Sequence, residues 1–379
     1  MISPKEMYAW LEAGGVRFFT GVPDSLLADF CAYVTDHADR HVIAANEGNA
    51  VALAMGHYLA TGEPGLVYMQ NSGLGNTVNP LTSLADPAIY GIPMVLLIGW
   101  RGEPGVKDEP QHLHMGRVTT ETLDAIGVGW SALPLDEAEA RLVVERAIEQ
   151  ARAREAPQAL VARSDTFERY RLKHDRQEPY ALSREETILQ LLRTLPEDAL
   201  VVSTTGKPSR ELFELREQRG EPHRDFLTVG GMGHASQIAL GMGLALPARP
   251  VYCLDGDGAV LMHMGALALI GTRAGENFKH VVLNNAAHDS VGGQPTVGFD
   301  VDLCAVARAC GYRHAERVVA AGELEPALSA LARSPGPALL EVRMRRGARA
   351  DLGRPSMSPR ELKRAIMAHA RPNSDSQLR

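Results

Sequence analysis

The sequence is poor in the features that staple a small fold or tie a chain to a membrane or a nucleic acid. Its four cysteines, Cys31, Cys253, Cys304 and Cys310, show no C-x-x-C spacing. That argues against a disulfide framework or a zinc knuckle and for reduced thiols in a cytoplasmic protein. No apolar run approaches the roughly 18 residues of a membrane span; "GIPMVLLIGW" is among the longest. No basic stripe stands out, and the formal net charge is −7 with both signs interspersed, so neither nucleic acid nor a membrane surface is the expected partner. The opening "MISPKEMYAWLE" reads as an acidic, amphipathic helix rather than a signal peptide.

What the chain has is length and a regular grammar. Its 379 residues exceed what one hydrophobic core usually serves, which predicts two domains. Strands and helices alternate almost throughout, the pattern of parallel sheets covered on both faces, so the expected fold class is α/β with two doubly wound parallel-sheet domains. The first spans 1–164. It starts with a helix that has Pro4 at its first position, Ser3 as cap and Glu6 in capping-box register. Strand "VRFFTGV", helix "DSLLADFCAYV", strand "HVIAA", helix "EGNAVALAMGHYLAT" and strand "GLVYMQ" follow. After a Gly/Asn-rich loop and a short helix come strand "PMVLLIG", a charged helix over about 136–154, and strand "QALVAR". Residues 165–182, polar and containing Pro179, read as a linker. The alternation restarts over 183–366, and a tail over 367–379 is expected to be disordered.

Two strand ends of the second half carry the chemistry. "VYCLDGDG" ends in Gly256-Asp257-Gly258; 25 intervening residues later the strand "HVVLNN" ends in Asn284-Asn285. Singly, each motif is most often a turn. Together, at the carboxyl edge of one parallel sheet, they form a ligand site. Asp257 and Asn285 offer hard oxygen donors, and the glycines with Ala259 open a helix N-terminus suited to phosphate. Such a set fits Mg²⁺ held with a diphosphate, whereas a transition metal would call for His or Cys. In the first half, Glu47 is the one acid on a helix of small and apolar residues before Glu63. On its own it reads better as a first-turn residue favoured by the helix dipole, and the second-half motif reverses that preference.

These motifs resemble those of the thiamine diphosphate enzymes. The resemblance implies that Asp257 and Asn285 hold Mg²⁺ through their side chains and Ala287 through its backbone carbonyl. It implies that Glu47 activates the aminopyrimidine ring of the cofactor. "VGGMGHASQIALG" resembles the segment that props the cofactor, with Met232 between its rings and the Gly230 carbonyl on its amino group. "STTGKPSREL" is similar to a diphosphate-binding turn, with the amides of Gly206 and Ser209. The chain has no room for the middle domain of most such decarboxylases. With "FTGVPDSLL", "NSGLGNTVNPLTSL", "SVGGQPT" and "ADLGRPSMSP", it resembles the phosphonopyruvate decarboxylase family, with sulfopyruvate decarboxylase as the close cousin.

That resemblance implies a small anionic 2-oxo acid substrate and a homo-oligomer, dimer or larger, with sites at subunit interfaces. A carboxylate plus a phosphonate needs cations. Arg101, Lys107, His112 and His114 stand on an expected loop after "PMVLLIG"; Lys207, Arg210, Arg349 and Arg354 follow other strands. His112 and His288 are candidate proton donors, and Asp24 is either an N-cap or a polar group at the reacting carbonyl. The alternatives are a decarboxylase of sulfopyruvate or another 2-oxo acid, and a non-catalytic cofactor-binding subunit, against which Glu47 and Asp257 both speak.

Overall fold

The computed structural model describes residues 1–173 and 180–371. Two compact units emerge: Met1–Arg176 with Ser290–Pro295, and Gln177–Asp289 with Thr296–Arg379. The short segment 290–295, expected in the second domain, therefore belongs to the first. There the fully buried Gln294 donates to the Ala28 carbonyl at 3.3 Å.

The first unit runs α1 (Pro4–Ala13), β1 (Phe18–Gly21), α2 (Ala28–His37), β2 (His41–Ile43), α3 (Glu47–Thr61), β3 (Gly65–Gln70), a 3-10 turn over Asn71–Gly73, and α4 (Leu74–Pro80), which a π turn extends to Ala85. Then come β4 (Met94–Gly99), α5 (Pro110–Ala125), β5 (Gly129–Ala132), α6 (Glu137–Arg154) and β6 (Pro157–Ala162). The strands form one parallel sheet of order β2-β1-β3-β4-β6-β5. β3 and β4 are apolar nearly end to end because helices cover both faces.

The second unit runs α7 (Arg184–Thr194), β7 (Leu200–Ser203), α8 (Lys207–Gln218), β8 (Phe226–Leu227), α9 (Ala235–Ala245), β9 (Val251–Gly256), α10 (Asp257–Met262) and α11 (Gly265–Arg273). It closes with β10 (Phe278–Asn284), α12 (Leu303–Ala309), β11 (His314–Val318), α13 (Ala321–Arg333), β12 (Ala338–Arg343) and α14 (Pro359–Ala370). Its parallel sheet has the order β11-β12-β10-β9-β7-β8. Counting strands from the start of each unit and reading this second sheet from its other edge, both sheets have the order 2-1-3-4-6-5. Each unit has two apolar cores, one on either face of its sheet.

Several expectations need correction. Ser3 caps α1 by position only, its side chain making no cap bond, while its amide meets Glu137 at 3.4 Å. The helix expected from Asp24 starts at Ala28 with Leu27 as N-cap. The interval before the charged helix holds both α5 and β5, so His112 and His114 lie on a helix rather than a loop. The buried face of α5 is Gly116, Thr119 and Leu123, too polar to register as an apolar stripe. Residues 367–370, assigned to the tail, complete α14; 372–379 and the linker stretch 174–179 with Pro179 lie outside the described residues. Within the rest of the linker, Phe167 bridges Ile2 and the Tyr170 amide meets Asp29 at 2.9 Å. The four cysteines are free thiols.

Candidate active site

In the first unit the loops after β1, β2, β3 and β4 gather at the carboxyl edge of the sheet. The chain leaves β1 through Gly21 at φ +155°, where a Cβ would run into the Tyr68 backbone and ring. Asp24 follows, fully buried; its carboxylate accepts from Gln70 Nε2 at 2.7 Å and from the Leu26 amide at 3.0 Å. It caps no helix. Burial raises its pKa, against the pull of the Gln70 and Leu26 donors and the nearby Arg101 charge. The Cα of Gly99 lies against the same carboxylate, leaving no space for a side chain.

Glu47 is the first residue of α3, behind Asn46, whose side chain caps the Asn49 amide at 2.9 Å. Only 6% of Glu47 is exposed, and burial raises its pKa. Asn76 Nδ2 donates to its Oε2 at 2.7 Å, while Gly73 packs so tightly that an added Cβ would sit 2.6 Å from Glu47 Cγ. A buried carboxyl with a neutral partner holds its proton more readily than a solvated one. Gly73 and Asn76 escaped the sequence reading, although their string, "NSGLGN", stood out.

Beyond β4, Arg101 is held by Asp108. Nε donates to Asp108 Oδ2 at 2.8 Å, and Nη2 to Oδ1; Nη1 donates to Ser25 Oγ at 2.7 Å. His112, in the first turn of α5, shares Asp108 through Nδ1 at 3.0 Å. Burial pushes the Asp108 carboxyl up, but Arg101, His112 and the Gly102 amide together hold it well below the usual carboxylate range. Lys107 and His114 are exposed.

In the second unit the corresponding edge is lined by glycines and oxygen donors. Gly206 precedes α8 at φ +93°, ψ −141°, open to glycine but strained for other residues. Ser209 is buried in the first turn of α8, its hydroxyl donating to the Thr204 carbonyl at 2.7 Å, which leaves its amide as the helix-start donor. Lys207 and Arg210 share this turn and are half-buried. Gly230 and Met232 lie in the loop before α9, with Met232 between the positive-φ residues Gly231 and Gly233. A Cβ on Gly258 would meet Met232 Cε at 3.2 Å and His288 Cε1 at 3.1 Å, which places all three together. Burial lowers the His288 pKa to about 4, so its ring is neutral at pH 7. Gly256 is the N-cap of α10, with Asp257, Gly258 and Ala259 its first residues.

Asp257 is 2% exposed and accepts the Thr296 hydroxyl in a short bond. Burial raises its pKa to about 6, against the pull of Thr296 and of the backbone amides of Asn285 and of Asp257 itself. Asn285 Nδ2 donates to Asp289 at 2.8 Å; a carboxylate can only accept, so the amide is fixed with Oδ1 on its other side, where the Ala287 amide meets it at 3.1 Å. Ala286, not Ala287, takes the left-handed state, at φ +49°, with its amide on Asn284 Oδ1 at 3.1 Å. Asp289 is held in turn by Arg184 at 3.2 Å and the Gly347 amide at 3.0 Å. Thr296, Asp289 and Arg184 had no local signature in the sequence.

The residues present fit a hard divalent cation. Asp257 is a buried carboxylate whose hydrogen-bond partners among the described residues are neutral, and beside it lies an amide oxygen of fixed orientation. The softer set Cys253, Asp255 and His280 is also buried on β9 and β10, but there His280 is engaged by the Tyr312 hydroxyl at 3.1 Å and Asp255 at 3.5 Å. Of the expected substrate cations, Arg349 is drawn to three carboxylates, Glu185 at 3.0 Å, Asp351 at 3.2 Å and Glu214. These pairs compensate its charge within the protein. Arg354 is exposed.

Known proteins carry both halves of this arrangement. The family described as "Thiamine pyrophosphate enzyme, N-terminal TPP binding domain" matches residues 5–125, and "Thiamine pyrophosphate enzyme, C-terminal TPP binding domain" matches 205–342. The chain is 41% identical over 384 residues to a phosphonopyruvate decarboxylase of Streptomyces viridochromogenes, covering 97% of this chain and 95% of the relative. It is 41% identical over 386 residues to that of Streptomyces hygroscopicus, covering 98% and 94%. A sulfopyruvate decarboxylase of Methanosarcina acetivorans is 29% identical over 299 residues, covering 72% and 73%.

Proposed function

The chain belongs to the thiamine pyrophosphate enzymes, within them to the phosphonopyruvate decarboxylase family, and from that premise we propose that it converts 3-phosphonopyruvate to phosphonoacetaldehyde and CO₂, using thiamine diphosphate and Mg²⁺. The observation that carries the cofactor reading is the buried Asp257 carboxylate beside the fixed Asn285 amide, with only neutral hydrogen-bond partners among the described residues. Asp257, Asn285 and the Ala287 carbonyl would hold Mg²⁺. The amides of Gly206, Ser209, Gly258 and Ala259 suit the diphosphate at two helix starts. Gly230 and Met232 support the organic rings, and Glu47 holds the proton that the aminopyrimidine ring requires.

When bound, thiamine diphosphate supplies the electron sink that decarboxylation of a 2-oxo acid requires. The protein's own residues bind, orient and handle protons around it. Burial raises the Asp24 pKa against the pull of its donors, so the group assigned to the reacting carbonyl is a carboxyl less inclined to ionise than a solvated one. Neutral His288 and the Asp108-bound His112 are the remaining proton carriers. Lys107, Lys207, Arg210 and Arg354 contribute positive potential toward the anionic substrate.

Among the described residues no helix is long and apolar enough to cross a membrane. The family resemblance supports a cytoplasmic homo-oligomer in which the first unit of one copy and the second unit of another serve one cofactor. The test of substrate is kcat/KM on phosphonopyruvate, sulfopyruvate and pyruvate side by side. Phosphonopyruvate should exceed both rivals by at least about tenfold, the worth of one charge-assisted contact. Equal rates on all three would overturn the phosphonate assignment. Preference for sulfopyruvate would favour the second reading, that of the Methanosarcina relative.

A further inference from the structure

We propose that Arg101 forms the subsite for the second acid group of the substrate, reading a tetrahedral oxyanion with the outer edge of its guanidinium. The inference rests on the decarboxylase reading and adds to it the residue that selects the substrate class. It starts from counting donors. A guanidinium carries five N–H groups. In this structure Nε and one N–H of Nη2 go to Asp108, and one N–H of Nη1 goes to Ser25. One N–H on each terminal nitrogen has no acceptor among the described residues. Two donors on adjacent terminal nitrogens are the fork that matches two oxygens of a phosphonate, sulfonate or carboxylate.

The fork is built rather than incidental. Asp108 fixes the guanidinium plane and is itself fixed by the amides of Gly102 and Glu109, each at 2.7 Å, and by His112. The backbone of Arg101 is clamped independently: Asn71, at the end of β3, donates to its carbonyl at 2.8 Å and accepts its amide at 3.3 Å. Asn71 is held by the buried Thr119 of α5 at 2.9 Å. A side chain with as many as four rotatable bonds is thus held in one place, so little ordering entropy remains to be lost when an anion docks. Its location is functional: Ser25, on which Nη1 rests, adjoins Asp24, and Asn71 lies two residues before the Gly73 that packs on Glu47.

The other cations of this edge are placed differently. Lys107 is exposed, and Arg163 lies over the Trp100 ring and pairs with Glu103 at 3.0 Å.

The experiment uses the full-length enzyme with thiamine diphosphate and Mg²⁺. Arg101→Lys keeps the charge beside Asp108 but lacks the fork. The double variant Arg101→Gln/Asp108→Asn removes the pair without leaving a buried carboxylate alone. Three quantities are read for each: KM and kcat for phosphonopyruvate, the inhibition constant of 3-phosphonopropionate, and the thermal shift on adding cofactor. In both variants KM and the inhibition constant should rise about ten- to a hundredfold, the worth of a charge-assisted hydrogen bond or two. The cofactor thermal shift should hold in both variants, and in Arg101→Lys, which leaves Asp108 on His112, kcat should fall by far less than KM rises. An unchanged inhibition constant in either variant overturns the subsite. So does a joint loss of anion binding, cofactor binding and fold, which would make Arg101 a purely structural residue. Failure of the unmodified enzyme to release CO₂ from phosphonopyruvate would sink the decarboxylase reading instead, and Arg101-dependent binding of 3-phosphonopropionate would still be decided on its own.

Discussion

At the scale of single residues, the two acids assigned to opposite ends of the cofactor, Glu47 and Asp257, are both buried at a cost to the ionised form. Glu47 has its pKa raised by burial. A carboxyl whose folded pKa lies above its unfolded value favours the fold when protonated, and that contribution is lost as pH rises through the folded value. Glutamine has no such loss. Without cofactor, Glu47→Gln should therefore melt higher than the parent at pH 7 to 8, with the gap closing toward pH 4, while kcat falls by about 10²- to 10⁴-fold. Normal turnover by that variant would reject the role assigned to Glu47. Gly73→Ala asks a separate question. Its backbone is right-handed helical, so alanine is allowed there, but the new methyl would displace the Glu47 carboxyl. A loss of about 10- to 100-fold in kcat with a nearly unchanged melting temperature is expected, since small misplacements of a reacting group cost that much. A variant with full activity would show that the contact imposes no constraint on the acid. Glu47, Asp257 and Asn285 could be singled out in the sequence because each stands in a short polar cluster where an apolar element ends or begins. Asp108, Thr296 and Asp289 were not, because what they do depends on partners met only in three dimensions; Thr296 reaches back 39 residues to Asp257.

At the scale of elements, legibility followed burial. β3, β4, β9 and β10 are covered on both faces and so appear as unbroken apolar runs. α5 buries a glycine, a threonine and a single leucine, so it carried no readable stripe. By contrast α14, with Leu362 and Ile366 one turn apart behind a Ser358/Glu361 capping box, was legible and was passed over. The cost of missing α5 was functional, since it places His112 on Asp108 and Thr119 on Asn71. The start of α8 provides a test at this scale. Gly206→Ala, at φ +93°, should destabilise the protein by about 1–3 kcal/mol and weaken thiamine diphosphate binding together. Urea melts with and without cofactor would measure both, and an alanine variant of parental stability would mean that this turn relaxes freely.

At the scale of the whole molecule, the proposed division of labour between copies makes a prediction that neither unit could make alone. Glu47→Gln and Asp257→Ala should each be inactive, yet mixing them under conditions that let subunits exchange should restore about a quarter of the parental sites, because one site in each mixed dimer would be intact. No recovery after verified exchange would mean that one chain supplies both residues. The common strand order of the two sheets has a consequence of its own. In each unit the loops after the first four strands carry the residues proposed for the site: Asp24, Glu47, Asn71 and Arg101 in one, Gly206, Met232, Asp257 and Asn285 in the other. Two sheets wound alike present the same kind of edge twice, so one chain carries two comparable sets of strand-end loops, one bearing acids and a clamped arginine, the other glycines and oxygen donors.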